Sequence, residues 1–84
     1  MPSPRYATLE QLLQSLGFQA HTVPGSHVLY EHPPTAAQFA LRLHQPDDLV
    51  DPAGLTLVRH TLDAWGILSR EDFDEQLRER SLAG

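Results

Sequence analysis

Leu9, Leu12, Leu13 and Leu16 fall at i, i+3, i+4 and i+7, the spacing of one helical stripe. Thr8 stands just before the stripe with Gln11 three residues on, which reads as a capping box, and Gly17 is a good C-terminal stop. The pattern predicts a first helix over about 8–16, preceded by a short proline-containing arm over 1–7. Phe18 to Val23 is short and β-friendly, and Val28, Leu29 and Tyr30 mark a second strand that ends at His32-Pro33-Pro34. The tight turn Pro24-Gly25-Ser26 between them predicts an antiparallel hairpin.

Gln38 to His44 shows the clearest alternation. Phe39, Leu41 and Leu43 should face the core, which places Arg42 and His44 together on the opposite face. Asp51-Pro52 then opens a second helix, with an acid at the cap and proline at the first helical position. Leu55, Val58, Leu62 and Trp65 supply its stripe, and Gly66 ends it. Ser69 caps a last helix, with Glu71 and Asp72 in the first turn and Phe73 and Leu77 as its buried edge. The tail Ser81-Leu82-Ala83-Gly84 is expected to fray. The order is α-β-β-β-α-α, an α+β fold with a three-stranded antiparallel sheet covered by helices on one face and open on the other.

Eighty-four residues make one domain, with its core expected over about 8–78. A chain of this size buries only about 60–65% of its unfolded surface, so most large apolar residues are needed inside. The absence of cysteine excludes disulfides and thiolate metal sites. No apolar run suits a signal peptide or a membrane span, so the expected location is the cytoplasm. Six arginines, no lysine and eleven acids leave a net charge of −5, which does not suggest nucleic-acid binding and suits a basic protein partner better.

Among residues able to carry chemistry, His27 stands out because it follows a glycine-containing turn at the head of a strand. A ring there can be held firmly and still reach solvent, and imidazole serves as general acid or base near neutral pH. An ordinary partly exposed strand histidine has the same local signature. His27 and His32 are five apart and should point to opposite faces, which makes them poor candidates for a shared metal. No HExxH motif, nucleophile elbow or glycine-rich phosphate loop occurs, and no metal or cofactor is expected. Tyr30 shares a face with Val28 and His32. It either packs on the sheet, the commoner outcome, or stacks on a base or a partner side chain. The acidic stretch Glu71 to Glu75 reads as a solvated helix face.

The runs Leu12-Leu13-Gln14-Ser15-Leu16-Gly17-Phe18 and Pro24-Gly25-Ser26-His27-Val28-Leu29-Tyr30-Glu31-His32-Pro33 resemble the first-helix ending and the signature turn and strand of HicA-like toxins. Leu43-His44 stands where that family has its third-strand histidine. Asp51-Pro52-Ala53-Gly54-Leu55-Thr56-Leu57 looks like the start of the family's second helix, and Trp65 to Phe73 looks like its close. The likeness covers about residues 8–78. It implies a double-stranded-RNA-binding-like α-β-β-β-α fold with a short extra C-terminal helix. It also implies an mRNA interferase (an endoribonuclease) of a bacterial toxin–antitoxin system, masked by a HicB-like antitoxin.

By that resemblance His27 is the catalytic residue and activates a ribose 2′-hydroxyl without a metal. Gly25 and Ser26 shape the turn, while Tyr30, Arg42 and His44 contact RNA. Three features depart from the pattern. Pro24 stands where lysine is common, Glu31 where a basic residue is common, and the loop before the second helix carries the acids Asp47, Asp48 and Asp51. With the acidic balance, these departures keep a non-catalytic module that binds a HicB-like or other protein as the alternative, and an RNA-binding domain without cleavage as a third.

Overall fold

The computed structural model describes residues 3–83. The first leucine stripe behaves as its spacing requires: Leu9, Leu12 and Leu13 are fully buried along one side of α1 (Tyr6–Ser15), with Leu16 half-buried beyond its end. The start of α1 differs from expectation. Thr8 lies inside the helix, and Arg5 at the cap position makes no side-chain cap bond. The open N–H groups of the first turn find partners far along the chain instead. Tyr6 N–H donates to the Asp48 carbonyl at 2.9 Å and Ala7 N–H to the Pro46 carbonyl at 3.0 Å.

Three strands follow, β1 (Gln19–Thr22), β2 (His27–His32) and β3 (Ala37–Arg42), in the antiparallel order β1-β2-β3. Gln19 pairs with Glu31 and Thr22 with Val28, while His27 pairs with Arg42 and His32 with Ala37. The predicted hairpin is present, and the ladder begins one residue earlier than the apolar run suggested, at His27 itself. Gly25 has φ +113°, a left-handed conformation that L side chains rarely adopt, so glycine is required there by backbone geometry. A side chain at that point would meet nothing within 4 Å. In β3, Ala37, Phe39 and Leu41 are buried while Gln38, Ala40 and Arg42 are exposed.

The third strand stops at Arg42, two residues short of its predicted end. The Leu43 amide still bonds the Ser26 carbonyl at 2.7 Å, and the chain then leaves the sheet toward the loop that caps α1. The alternation therefore breaks. Leu43, expected in the core, is 60% exposed, while the His44 side chain, expected beside Arg42 on the open face, is only 6% exposed.

Helices α2 (Pro52–Ala64) and α3 (Arg70–Ala83) complete the fold. Asp51 caps α2 by accepting the Ala53 N–H at 3.2 Å, and Ser69 caps α3 by accepting the Asp72 N–H at 3.1 Å, both as the sequence predicts. Trp65 does not join the buried stripe of α2. It sits at the C-cap, half-exposed, where the chain turns at Gly66. Ile67 and Leu68 fold back against the core instead, the Ile67 N–H bonding the Leu62 carbonyl at 2.9 Å. Inside α2 the buried place goes to Thr61, whose hydroxyl is satisfied by the Leu57 carbonyl at 2.8 Å. The last helix runs for 14 residues, and of the tail expected to fray Ser81 to Ala83 are helical, while Gly84 lies outside the described residues.

One core unites Tyr6 and the α1 leucines with Phe18, Tyr30, Phe39, Leu41, Val58, Leu62, Phe73 and Leu77. The outer face of the sheet carries His27, Leu29 and Glu31 from β2 and Gln38, Ala40 and Arg42 from β3, while β1 is exposed throughout. Among the described residues no helix is long and apolar enough to cross a membrane.

Candidate functional site

His27 opens the middle strand on the uncovered face, and its ring is exposed. Two features hold it in place. The backbone of the turn is tied to β3 through the Ser26 carbonyl and the Leu43 amide, and the Ser26 hydroxyl lies 3.4 Å from His27 Nδ1. Directly across the ladder stands Arg42, exposed and without an ion-pair partner among the described residues. A histidine beside a free guanidinium can hold a phosphate oxygen and move a proton next to it.

On β1, His21 pairs with Leu29, and its Nε2 lies 3.7 Å from Glu31 Oε1. His21 and Glu31 therefore belong to the same face as His27 and Arg42. The sequence marked Glu31 only as a departure from a basic pattern and did not mark His21 as a candidate. The signal that finds them is strand parity carried through the hairpin register. Among the described residues no three His, Asp or Glu side chains gather as a metal site would need.

Tyr30 and His44 do not belong to this face. Tyr30 is buried and stacks on Phe39, with ring centroids 5.3 Å apart. Its hydroxyl donates to Glu10 Oε1 at 3.1 Å. Burial chiefly, and then the nearby Glu10 charge and hydrogen bond with a smaller effect from Tyr6, push its pKa above the ordinary tyrosine value, so it remains a donor. The packing reading of Tyr30 therefore holds, and a base cannot stack on it in this fold.

His44 lies flat against Tyr6, with centroids 3.6 Å apart and planes 5° from parallel. Its Nε2 bonds Glu10 Oε1 at 2.6 Å and its Nδ1 bonds the Arg42 carbonyl at 2.7 Å. His44 is thus a clasp between the end of β3 and α1 rather than a phosphate contact. Replacing it by alanine should lower stability by about 2–3 kcal/mol, because a largely buried ring that stacks on Tyr6 and hydrogen-bonds Glu10 and the Arg42 carbonyl is removed. Urea unfolding of the variant checks this, and a loss under about 0.5 kcal/mol would remove the clasp from the account.

His32 is also internal. Its Nε2–H donates to the Leu16 carbonyl at 2.9 Å, and its Nδ1 accepts from the Thr35 hydroxyl at 2.8 Å. Thr35 Oγ1 in turn accepts the Ala37 N–H at 3.2 Å. The expectation that His27 and His32 face opposite ways is met: one is exposed and the other spans the core to the end of α1. A cavity of about 320 Å³ lies between the N-terminal arm and α2 and α3, lined by Pro4, Leu55, Phe73 and Leu77 among others. None of its lining residues comes from the open face of the sheet.

No protein-family model matches the chain, and no curated protein or solved structure matches it significantly. The reading of function therefore rests on the residues and their arrangement.

Proposed function

We propose that this domain is a HicA-like endoribonuclease of the mRNA interferase kind, acting in the cytoplasm, with His27 as its catalytic acid–base group. The observation that carries the reading is the pairing of exposed His27 with Arg42 on an uncovered sheet face, at the head of the strand that follows Gly25 and Ser26. The α-β-β-β-α part of the topology is compatible with a double-stranded-RNA-binding-like arrangement.

In the proposed reaction Arg42 holds a phosphodiester oxygen. His27 takes the proton of the adjacent ribose 2′-hydroxyl, the 2′-oxygen bonds to phosphorus, and the bond to the 5′-oxygen breaks. The 5′-oxygen leaves with a proton taken from water and His27 returns its own proton to solvent, giving a 2′,3′-cyclic phosphate and a 5′-hydroxyl. The chemistry needs proton transfer and charge stabilisation, both available from these two side chains.

Incubating the purified protein with a single-stranded RNA and with the same strand in 2′-deoxy form tests this. Cleavage of the RNA alone, with cyclic-phosphate ends, is the expected result. An intact RNA, or equal cutting of both strands, overturns it.

A second reading is favoured by the net charge of −5 and by Glu31 on the same face, both unusual for a surface that grips phosphates. There the domain is a non-catalytic module whose open face binds a HicB-like antitoxin or another protein. In the first reading the same face is the one such an antitoxin covers to mask His27. Binding of a partner without any RNA cleavage by the free domain separates the two.

A further inference from the structure

Resting on the nuclease reading above, we infer that the open face reads the base of a nucleotide flanking the cut, and that Glu31 selects guanine there. The ladder registers arrange the face in three rows across the strands. The first row is His27 and Arg42. The second is His21, Leu29 and Ala40. The third is Gln19, Glu31 and Gln38. The rows are therefore a reactive pair, a small apolar floor with one imidazole at its edge, and a line of amide and carboxylate groups.

Glu31 sits four residues along β2 from His27, about 13 Å at the rise of an extended strand. That is close to the reach of one nucleotide, from its phosphate to the far edge of a purine, once the side chains rising from the sheet are included. With a phosphate on Arg42, the attached nucleoside lies over Leu29 and Ala40, and its base edge arrives at Glu31. Single-stranded RNA is read in this manner, by bases splayed onto a platform with their edges hydrogen-bonded.

Charge decides which part of the RNA meets Glu31. A carboxylate repels phosphate, so on an RNA-binding face it meets a donor, a ribose hydroxyl or a base edge, and at the end of the nucleotide away from the phosphate that donor is the base edge. The two carboxylate oxygens are acceptors only. Guanine offers two adjacent donors on its Watson–Crick edge, N1–H and the N2 amino group, and so matches a carboxylate in parallel. Adenine and cytosine each offer one amino group, and uracil one ring N–H. His21 Nε2 lies 3.7 Å from Glu31 Oε1, on one side of the carboxylate. Gln19 and Gln38 flank it on the neighbouring strands, within reach of the remaining base atoms. The titratable and charged groups on this face are His21, His27, Glu31 and Arg42, and no helix packs over them. Glu31, which departs from the basic pattern, thereby gains a task that a lysine could not perform.

The test is to digest a random-sequence single-stranded RNA pool with the wild-type protein and map the cut ends. Guanine should be enriched about 10- to 100-fold over adenine at one position beside the cut, the discrimination expected of a two-bond base contact. Glu31→Ala and Glu31→Thr, each checked for folding by circular dichroism, should lose that enrichment at the same position. Cutting by the wild type with no guanine enrichment, or enrichment retained in both folded variants, overturns the inference and leaves the nuclease reading standing. A wild-type protein that cuts no RNA at all overturns the nuclease reading itself, and this inference with it.

Discussion

Alanine in place of His27 should lower the rate of RNA cleavage by about 10²–10⁴-fold, the usual contribution of a positioned acid–base group. The domain should remain folded, since the ring is exposed and its one side-chain contact is a long one to the Ser26 hydroxyl. Surface substitutions of this kind typically change stability by no more than about 0.5 kcal/mol. Binding of an uncleavable 2′-deoxy strand should also persist, because the phosphate contact belongs to Arg42. Three measurements on one variant therefore separate the possibilities. Lost cleavage with retained folding and binding supports catalysis by His27. Equal cleavage by variant and wild type assigns the chemistry elsewhere, and lost binding makes His27 a contact residue.

Replacing Phe73 by alanine should cost about 3–5 kcal/mol, the range for emptying a fully buried aromatic site. Phe73 has no solvent exposure and belongs to the single core. Folded domains hold roughly 0.05–0.15 kcal/mol per residue, so this one loss removes a large fraction of what 84 residues sustain. The reason lies in the composition of α3. Most of its positions are charged or polar, and Phe73 and Leu77, one turn apart, are its buried hydrophobic residues. Without the aromatic ring the helix keeps one strong anchor. Urea unfolding should show a midpoint shift at nearly constant slope, whereas Leu82→Ala, at an exposed site on the same helix, should leave the midpoint unchanged. A Phe73→Ala loss below about 1 kcal/mol would mean that α3 does not complete the core.

Local patterns in this chain were legible wherever the partner of a residue was also local. The leucine stripe of α1, the Pro24-Gly25-Ser26 hairpin turn and the caps at Asp51 and Ser69 are all settled within a few residues, and all appear as read. Two expectations failed where a distant segment decided the outcome, and a third where the next turn of the chain did. Thr8 is no cap, because the carbonyls of Pro46 and Asp48 already serve the first turn of α1. Leu43 and His44 exchange their expected sides, because the chain leaves β3 to reach that loop and Glu10 draws the imidazole inward. Trp65 stays outside, because the turn at Gly66 brings Ile67 and Leu68 back to the core.

The candidate site divides in the same way. His27, Gly25, Ser26 and Arg42 were accessible from turn chemistry and strand alternation. Glu31 shares His27's face by the alternation of β2 itself, whereas His21 depends on the register between strands, which a single strand's pattern does not contain. For Tyr30, the choice between packing and recognition turned on whether Phe39 and Glu10 would close over it, and both do.

The stitch between the 46–48 loop and the start of α1 has a further consequence for how the chain can be divided. The first turn of α1 is finished only when the residues after β3 arrive, and Val50 N–H returns the tie by bonding the Pro4 carbonyl at 2.8 Å. The earliest helix is thus completed by the middle of the chain, and the two halves share one hem. A cut between β3 and α2 leaves an N-terminal piece whose opening helix has lost its borrowed acceptors. Permuted or split versions of the domain must keep that hem intact, so the chain is better opened at a turn away from it, such as the one between β2 and β3.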